Sequence, residues 1–253
     1  MTPTLNHMAG QVIIVTGAAG DLGWGIANLC LETGANVAMV DVDEAALAAR
    51  GNTENPHLMR LTCDISNADQ TRAVVDAVLS HWGRLDVLVN NAAVVTPGEK
   101  VGDLSQAHWE QALAVNLTGA WLMSKWALVP MRSAGQGVIL NIASQLGSVA
   151  APGRGAYSAS KAGLIALARA IAVDHADEGI RALSLSPGAV LTSRVLRRYG
   201  DANTASQALS SRYLGGRLGT VEEVARTALF LMSKEASLIT GTDVHADGGY
   251  TTV

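Results

Sequence analysis

Tyr157 and Lys161 stand four residues apart in Tyr157-Ser158-Ala159-Ser160-Lys161, at the head of an apolar stretch that continues through Ala162-Gly163-Leu164-Ile165-Ala166-Leu167. In a helix that spacing places both side chains on one face. An ammonium beside a phenol favours the phenolate and lowers its pKa from about 10, giving a general acid or base usable near neutral pH. A Tyr and a Lys one turn apart are also common as plain surface residues, so the pair needs company. Ser144 follows the apolar run 138–142, where a hydroxyl at a strand end could hydrogen-bond a substrate oxygen as charge develops on it. Asn116 sits among apolar neighbours in Ala114-Val115-Asn116-Leu117 and is either a local helix kink or a polar relay. Left buried and unpartnered, its amide would cost about 1–3 kcal/mol.

A second group of residues has the pattern of a dinucleotide cradle. The run 11–16 leads into Gly17-Ala18-Ala19-Gly20-Asp21-Leu22-Gly23 and then a helical stretch. A glycine-rich turn between strand and helix lets backbone approach a pyrophosphate, and the helix N-terminus supplies N–H donors and a favourable dipole. Asp41 ends the next apolar run, where a carboxylate can accept from adenosine ribose hydroxyls and would repel a 2′-phosphate. No Arg or Lys lies in the glycine turn or directly after Asp41. Together these features favour NAD over NADP. Asp64, in Cys63-Asp64-Ile65, is placed to meet an adenine edge or to cap a turn, and Asn90-Asn91-Ala92-Ala93 lets the chain pass close to a flat ligand.

The elements that must position these residues are legible as alternation. Short apolar runs at 12–15, 37–40, 58–61, 85–89, 138–142, 182–185 and 243–246 separate longer helical stretches. The runs lack a period of two, so they read as strands covered on both faces, in a parallel sheet. The expected fold is a single-domain, doubly wound (Rossmann-like) α/β domain over residues 1–253, with seven parallel strands and helices on both faces. Ser66 with Asp69, and Thr220 with Glu223, have capping-box spacing, and Gly34 and Gly51 are placed to end helices. Residues 1–9 are expected to be flexible. Residues 188–219, the longest stretch without clear periodicity, are expected to form a substrate lid.

Composition narrows the classes. A chain of 253 residues that is 49% hydrophobic can bury a large core, and its net charge of −4 without a basic stripe argues against nucleic acid. No run of eighteen apolar residues suggests a membrane span, and residues 1–10 lack the features of a secretory signal. Neither the six histidines nor Cys30 and Cys63 show metal-ligand spacing, so no metal is expected, and lone thiols fit the cytoplasm.

Taken jointly and in order, Thr16-Gly17 with Gly23, Asp41, Asp64, Asn90-Asn91-Ala92, Asn116, Ser144, Tyr157 with Lys161, and Pro187-Gly188 resemble the short-chain dehydrogenase/reductase family from Gly10 onward. The resemblance implies hydride transfer between NAD and a secondary alcohol or ketone. It implies that Tyr157 exchanges a proton with the substrate oxygen, Lys161 lowers the tyrosine pKa and holds the nicotinamide ribose, Ser144 orients the substrate, and Asn116 positions a water linking Lys161 to solvent. It places Gly17, Asp21, Leu22, Asp41, Asp64, Ile65, Asn90 and Ala92 along the coenzyme. At the reacting end it adds Tyr157, Lys161, Pro187, Gly188, Val190 and Thr192. It also implies a homotetramer built through the long helices that contain Asn116 and Tyr157. Two departures stand out. Asp21 replaces the family's usual glycine, where a carboxylate is a good N-cap but a poor neighbour for a pyrophosphate, and Ala93 replaces another glycine.

For the substrate, a small alcohol or ketone, Val94, Gln145, Leu146, Val149 or Ala150 and residues 189–216 are the candidate pocket wall. Arg194 is the candidate substrate contact among the arginines of that stretch. The arginines at 194, 197, 198 and 212 read either as a greeting for an anionic or polyhydroxy substrate or, more simply, as the solvated face of an amphipathic helix. Polyols, sugars, cyclic diols and hydroxy acids are the expected substrates. A 3-oxoacyl ketoreductase and a non-catalytic NAD-binding scaffold are the alternatives.

Overall fold

Apolar runs without alternation become interior strands. In the computed structural model, which describes residues 8–51 and 54–252, the strands are β1 (Val12–Thr16), β2 (Asn36–Asp41), β3 (Leu58–Thr62), β4 (Val87–Asn90), β5 (Gly137–Ile142), β6 (Ile180–Pro187) and β7 (Asp243–Ala246). They form one seven-stranded sheet in the order β3-β2-β1-β4-β5-β6-β7, parallel at every pairing. The strand order reverses between β1 and β4, the switch point beyond whose carboxyl ends such sheets have their ligand crevice.

The helices are α1 (Asp21–Glu32), α2 (Glu44–Ala48), α3 (Ala68–Trp82), α4 (Gln106–Leu113), α5 (Ala120–Ala134), α6 (Gly155–Asp174), α7 (Ser193–Tyr199), α8 (Ala202–Leu209) and α9 (Val221–Met232). Ile13 and Val15 face a core shared with α1 and α9, while Val12 and Ile14 face the opposite core against α3 and α5. Each fully buried side chain of this kind contributes roughly 1.5–3 kcal/mol. The stretches Gln106–Ala134 and Gly155–Asp174 are long and apolar enough, by length and composition, to cross a membrane. About half of each lies buried inside the protein, where the apolar face serves the core.

Local signals held where side chains complete them. Thr220 and Glu223 form a capping box at α9, and Gly34 and Gly51 adopt positive φ just past α1 and α2. At α3 the cap is Asn67, whose Oδ1 accepts from the N–H groups of Asp69 and Gln70; Ser66 instead donates its hydroxyl to Asp64. Residues 1–7 of the expected flexible start lie outside the described residues, but Met8 is fully buried and Gly10 N–H donates to Gly34 O at 3.0 Å. Residues 188–219 are not featureless. They contain α7 and α8, and Ala205, Tyr213 and Leu218 make a small core of their own with Leu191, Val195 and Tyr250.

Candidate active site

Helix α6 begins at Gly155, two residues before Tyr157, so Tyr157 and Lys161 lie in its first two turns at the crevice floor. The Lys161 Nζ lies 5.7 Å from the centre of the Tyr157 ring and donates to the Ile142 carbonyl, at the end of β5, at 2.7 Å. Lys161 is buried, and desolvation, followed by the nearby charge of Arg194, lowers its pKa to about 7. Ser144, two residues beyond β5, accepts from the Leu146 N–H at 3.2 Å, and its hydroxyl favours the charged form of the Tyr157 phenol. Burial raises the phenol above its ordinary value, against the opposing pull of Ser144 and Arg194, which favour the phenolate. The sequence expectation of a phenol lowered by Lys161 is corrected here. A buried lysine that is itself easily neutralised is a weak partner at neutral pH, and desolvation wins.

Asn116 occupies a π-turn, Ala114–Gly119, between α4 and α5. Such widened turns recur at functional sites. Its amide nitrogen donates to Val94 O and Ser160 Oγ, each at 3.0 Å, and its oxygen accepts from Val94 N–H at 2.8 Å. Asn116 therefore ties the segment after β4 to α6, a polar bridge within a local distortion.

Where β1 meets α1, Gly17 has φ +65°, and a Cβ there would lie 2.6 Å from the Ala92 Cα. Gly23 is equally confined, with a Cβ reaching 2.2 Å from Gly17 O. The N-cap of α1 is Gly20, which provides no side-chain acceptor, so the first N–H groups of the helix are left for an anion. Asp41 stands beside this turn, accepting from Ala19 N–H at 2.9 Å and Asp43 N–H at 3.1 Å. A close backbone approach, an uncapped helix start and a carboxylate at the second strand end together fit a dinucleotide.

A family model described as enoyl-(acyl carrier protein) reductase matches residues 17–251. The chain is 37% identical to D-threitol dehydrogenase of Mycolicibacterium smegmatis, over 97% of this chain and 94% of that protein. It is 38% identical to cis-4-hydroxycyclohexanecarboxylate dehydrogenase of Sinomonas cyclohexanicum, over 97% of this chain and 98% of the relative. The crystal structure of gox2181 superposes with a TM-score of 0.92 at 30% identity, covering 100% of both chains. The chain belongs to the short-chain dehydrogenase/reductase family. It is an oxidoreductase of that family acting on a CH–OH group.

As a short-chain dehydrogenase/reductase, the protein brings most of the expected residues to one crevice and turns a few elsewhere. Asn90 sends its amide into the core, donating to Ser124 Oγ at 3.0 Å and Asn141 Oδ1 at 2.9 Å. Asn91, which sequence reasoning treated only as part of a small-residue run, donates to Thr16 O and Gly17 O and so fixes the glycine turn. Thr16 Oγ1 receives the Asn91 and Ala92 N–H groups at 3.0 and 3.1 Å. Asp64 is exposed and caps its own turn by accepting from Ser66, while Ile65 is buried against Gly119. Leu22 lies partly buried in the first turn of α1, and Val190 is buried in a bridge to Gly219. Thr192 caps α7, accepting from Val195 N–H at 3.4 Å, and Gly188 N–H donates to Ala246 O beyond Pro187.

Asp21, the residue that departs from the family pattern, is held by two partners. Its Oδ1 pairs with Arg50 at 2.8 Å and its Oδ2 accepts from Ser193 N–H, at the start of α7, at 2.5 Å. Burial works to raise its pKa, but the Ser193 and Arg50 contacts prevail and hold the carboxyl below its usual value. Arg50 also donates its Nε to Ala19 O at 3.0 Å. It comes from beyond α2, too far along the chain for any local motif to announce it. Gln145 is buried and donates to the Tyr213 hydroxyl at 3.2 Å, which also receives Ala189 N–H at 2.8 Å.

Proposed function

We propose that this chain is an NAD-dependent dehydrogenase that oxidises a small secondary alcohol to its ketone, in the cytoplasm and as a homotetramer. The observation that carries the reading is the convergence of Ser144, Tyr157 and Lys161 at the reacting end of the same crevice whose other end holds the glycine turn and Asp41. Bound nicotinamide supplies the hydride acceptor. The chain's own residues do the rest. Ser144 hydrogen-bonds the alcohol oxygen and fixes its distance from the phenol. Tyr157, in the phenolate form that Ser144 and Arg194 favour against burial, takes the hydroxyl proton as general base. Lys161, anchored on Ile142 O beneath the ring, holds a positive charge or releases a proton near pH 7, the value to which burial brings it. Asn116 keeps Val94 and Ser160 in register around the pair. Residues 188–219 are read as the lid that covers the substrate.

Asp41 supports NAD over its 2′-phosphorylated form, because a second anion beside that carboxylate is repelled. Arg50, the cation nearest the turn, is already paired with Asp21. The relatives named for a polyol and a cyclic hydroxy acid support an alcohol of that size. Buried, unpaired Cys30 and Cys63, with thiol pKa values raised by burial to about 12 and about 11, support a reducing compartment. A groove of about 430 Å³ on the outer faces of α5 and α6, lined by Leu117, Trp121, Gly163, Ala166 and Leu167, supports subunit pairing there. The test is a panel of polyols, cyclic diols, cycloalkanols and hydroxy acids, scored by NADH absorbance with NAD and with NADP. Oxidation of at least one class with NAD preferred is expected. Equal or better rates with NADP, or reduction of 3-oxoacyl esters alone, would overturn the reading.

A further inference from the structure

Arg50 reaches the glycine turn from beyond α2, and two bonds fix its head group there. Its Nε donates to Ala19 O at 3.0 Å, and a terminal nitrogen donates to Asp21 Oδ1 at 2.8 Å. The side chains of this ion pair are 31% and 22% exposed, so most of each lies out of water. The backbone that carries Arg50 is fixed as well. Arg60, on β3, donates a terminal nitrogen to Arg50 O, and Gly51 lies so near the Trp24 ring that a Cβ would come within 2.9 Å of it. Ala19 is bracketed by opposite charges. Its carbonyl receives Arg50, and its N–H donates to Asp41 Oδ2 at 2.9 Å. A guanidinium and the carboxylate read as the ribose acceptor therefore bond the two polar groups of one residue.

A guanidinium beside a ribose site is suited to a 2′-phosphate, which its planar fork can grip with two bonds. Here that fork is occupied by Asp21, which stands where the family carries an uncharged glycine. The charges at this end can be paired off. Asp21 cancels Arg50, and the next charges out, Asp43 beside Asp41 and Arg60 beside Arg50, are one of each sign. Asp41 is left uncompensated. With a neutral residue at 21, Arg50 would balance Asp41 instead and would stand free beside Ala19. We propose that Asp21 is a coenzyme-specificity residue: by holding Arg50 it withholds the guanidinium that would otherwise take a 2′-phosphate, and so keeps the site selective for a coenzyme with a free ribose hydroxyl. The proposal rests on the NAD reading above and deepens it, dividing the discrimination between Asp41 and a second carboxylate outside the ribose position. The same ion pair lets a carboxylate sit at a helix start suited to a pyrophosphate, because Arg50 offsets its charge.

The test is calorimetric and needs no turnover. Dissociation constants of 5′-AMP and adenosine 2′,5′-bisphosphate, which differ only in the 2′-phosphate, are measured on the full chain, and their ratio is followed through Asp21→Asn, Arg50→Met and the double variant. Asn keeps an acceptor for Ser193 N–H and removes the charge, so the start of α7 stays held. Arg50→Gln, which keeps a donor for Ala19 O, is run beside Arg50→Met, and Tm is recorded for each variant. The expected result is that Asp21→Asn shifts the ratio at least tenfold toward the bisphosphate. The double variant returns it to within threefold of wild type, because Asp41 is again the uncompensated charge. The gain in Asp21→Asn fades with rising ionic strength. The kcat/KM ratio of NADP to NAD on the best alcohol moves the same way. A shift of less than threefold in Asp21→Asn overturns the proposal, since Asp41 alone would then discriminate. A shift that persists in the double variant overturns it too, because the guanidinium would not be the group released. The change on substitution also separates this proposal from the NAD reading. Equal binding of the two probes by wild type fails the NAD reading, yet a tenfold, Arg50-dependent shift in Asp21→Asn still upholds the role of Asp21. A wild type that strongly prefers 5′-AMP, with no shift in Asp21→Asn, upholds NAD and sinks the proposal.

Discussion

Tyr157 is under opposed demands: burial raises its phenol, while Ser144 and Arg194 favour the charged form that abstracts a proton. The pair with Lys161 was legible from spacing alone, because a helix converts four residues of separation into a shared face. The sign of the shift was not legible, because desolvation depends on what covers the pair. The same burial leaves a mark on stability. Lys161 titrates near 7 in the folded chain and near its ordinary 10.5 unfolded, so between those values the unfolded chain binds the extra proton. Stability from this group therefore rises as pH climbs from 7 toward 10.5, and below 7 the folded chain carries a buried charge. Lys161→Met, unfolded by urea without added nucleotide, is expected to be more stable than wild type at pH 6, with the advantage shrinking by pH 10. A difference between the two proteins that is constant with pH would contradict the assignment. Asp21 teaches the complementary lesson. Its departure from the family glycine was visible, but its partners Arg50 and Ser193 are distant in sequence and only the fold brings them together.

At the scale of elements, the strands were readable because both of their faces are buried and their composition is apolar throughout. Helices α7 and α8 were legible only as one reading of the arginine stretch, because each is under ten residues long and packs on the small core of Tyr213, Leu218 and Ala205. The π-turn at Asn116 was legible only as a local kink, since one extra residue in a turn leaves no compositional trace of its kind. The start of α7 hangs on Ser193 N–H donating to Asp21. Asp21→Ala is expected to speed amide hydrogen exchange across 193–199 about tenfold, a change of about 1.4 kcal/mol. Exchange in α1 then serves as the internal control. No change across α7 would show that its small core, not the carboxylate, holds it in place.

The whole molecule arranges one sheet so that a single crevice receives residues from β1, β2, β5, α6 and the segment after β6. That topology followed from the alternation of apolar runs and helices, since parallel strands require crossovers of one hand. Assembly is the less legible part, because an apolar helix face serves a core and an interface alike. Trp121 is 46% exposed beside the α5–α6 groove, and Ala166 is exposed at its edge. For the proposed tetramer, Ala166→Arg is expected to reduce the mass in solution to that of a dimer or monomer by light scattering, whereas an unchanged mass would contradict pairing through this groove. The central claim, that the Tyr157 phenol moves the proton, is tested most directly by Tyr157→Phe. Turnover on the best alcohol of the panel, measured beside NAD affinity by calorimetry, is expected to fall about 10²–10⁴-fold with the NAD dissociation constant unchanged. Turnover within a few-fold of wild type would contradict the account.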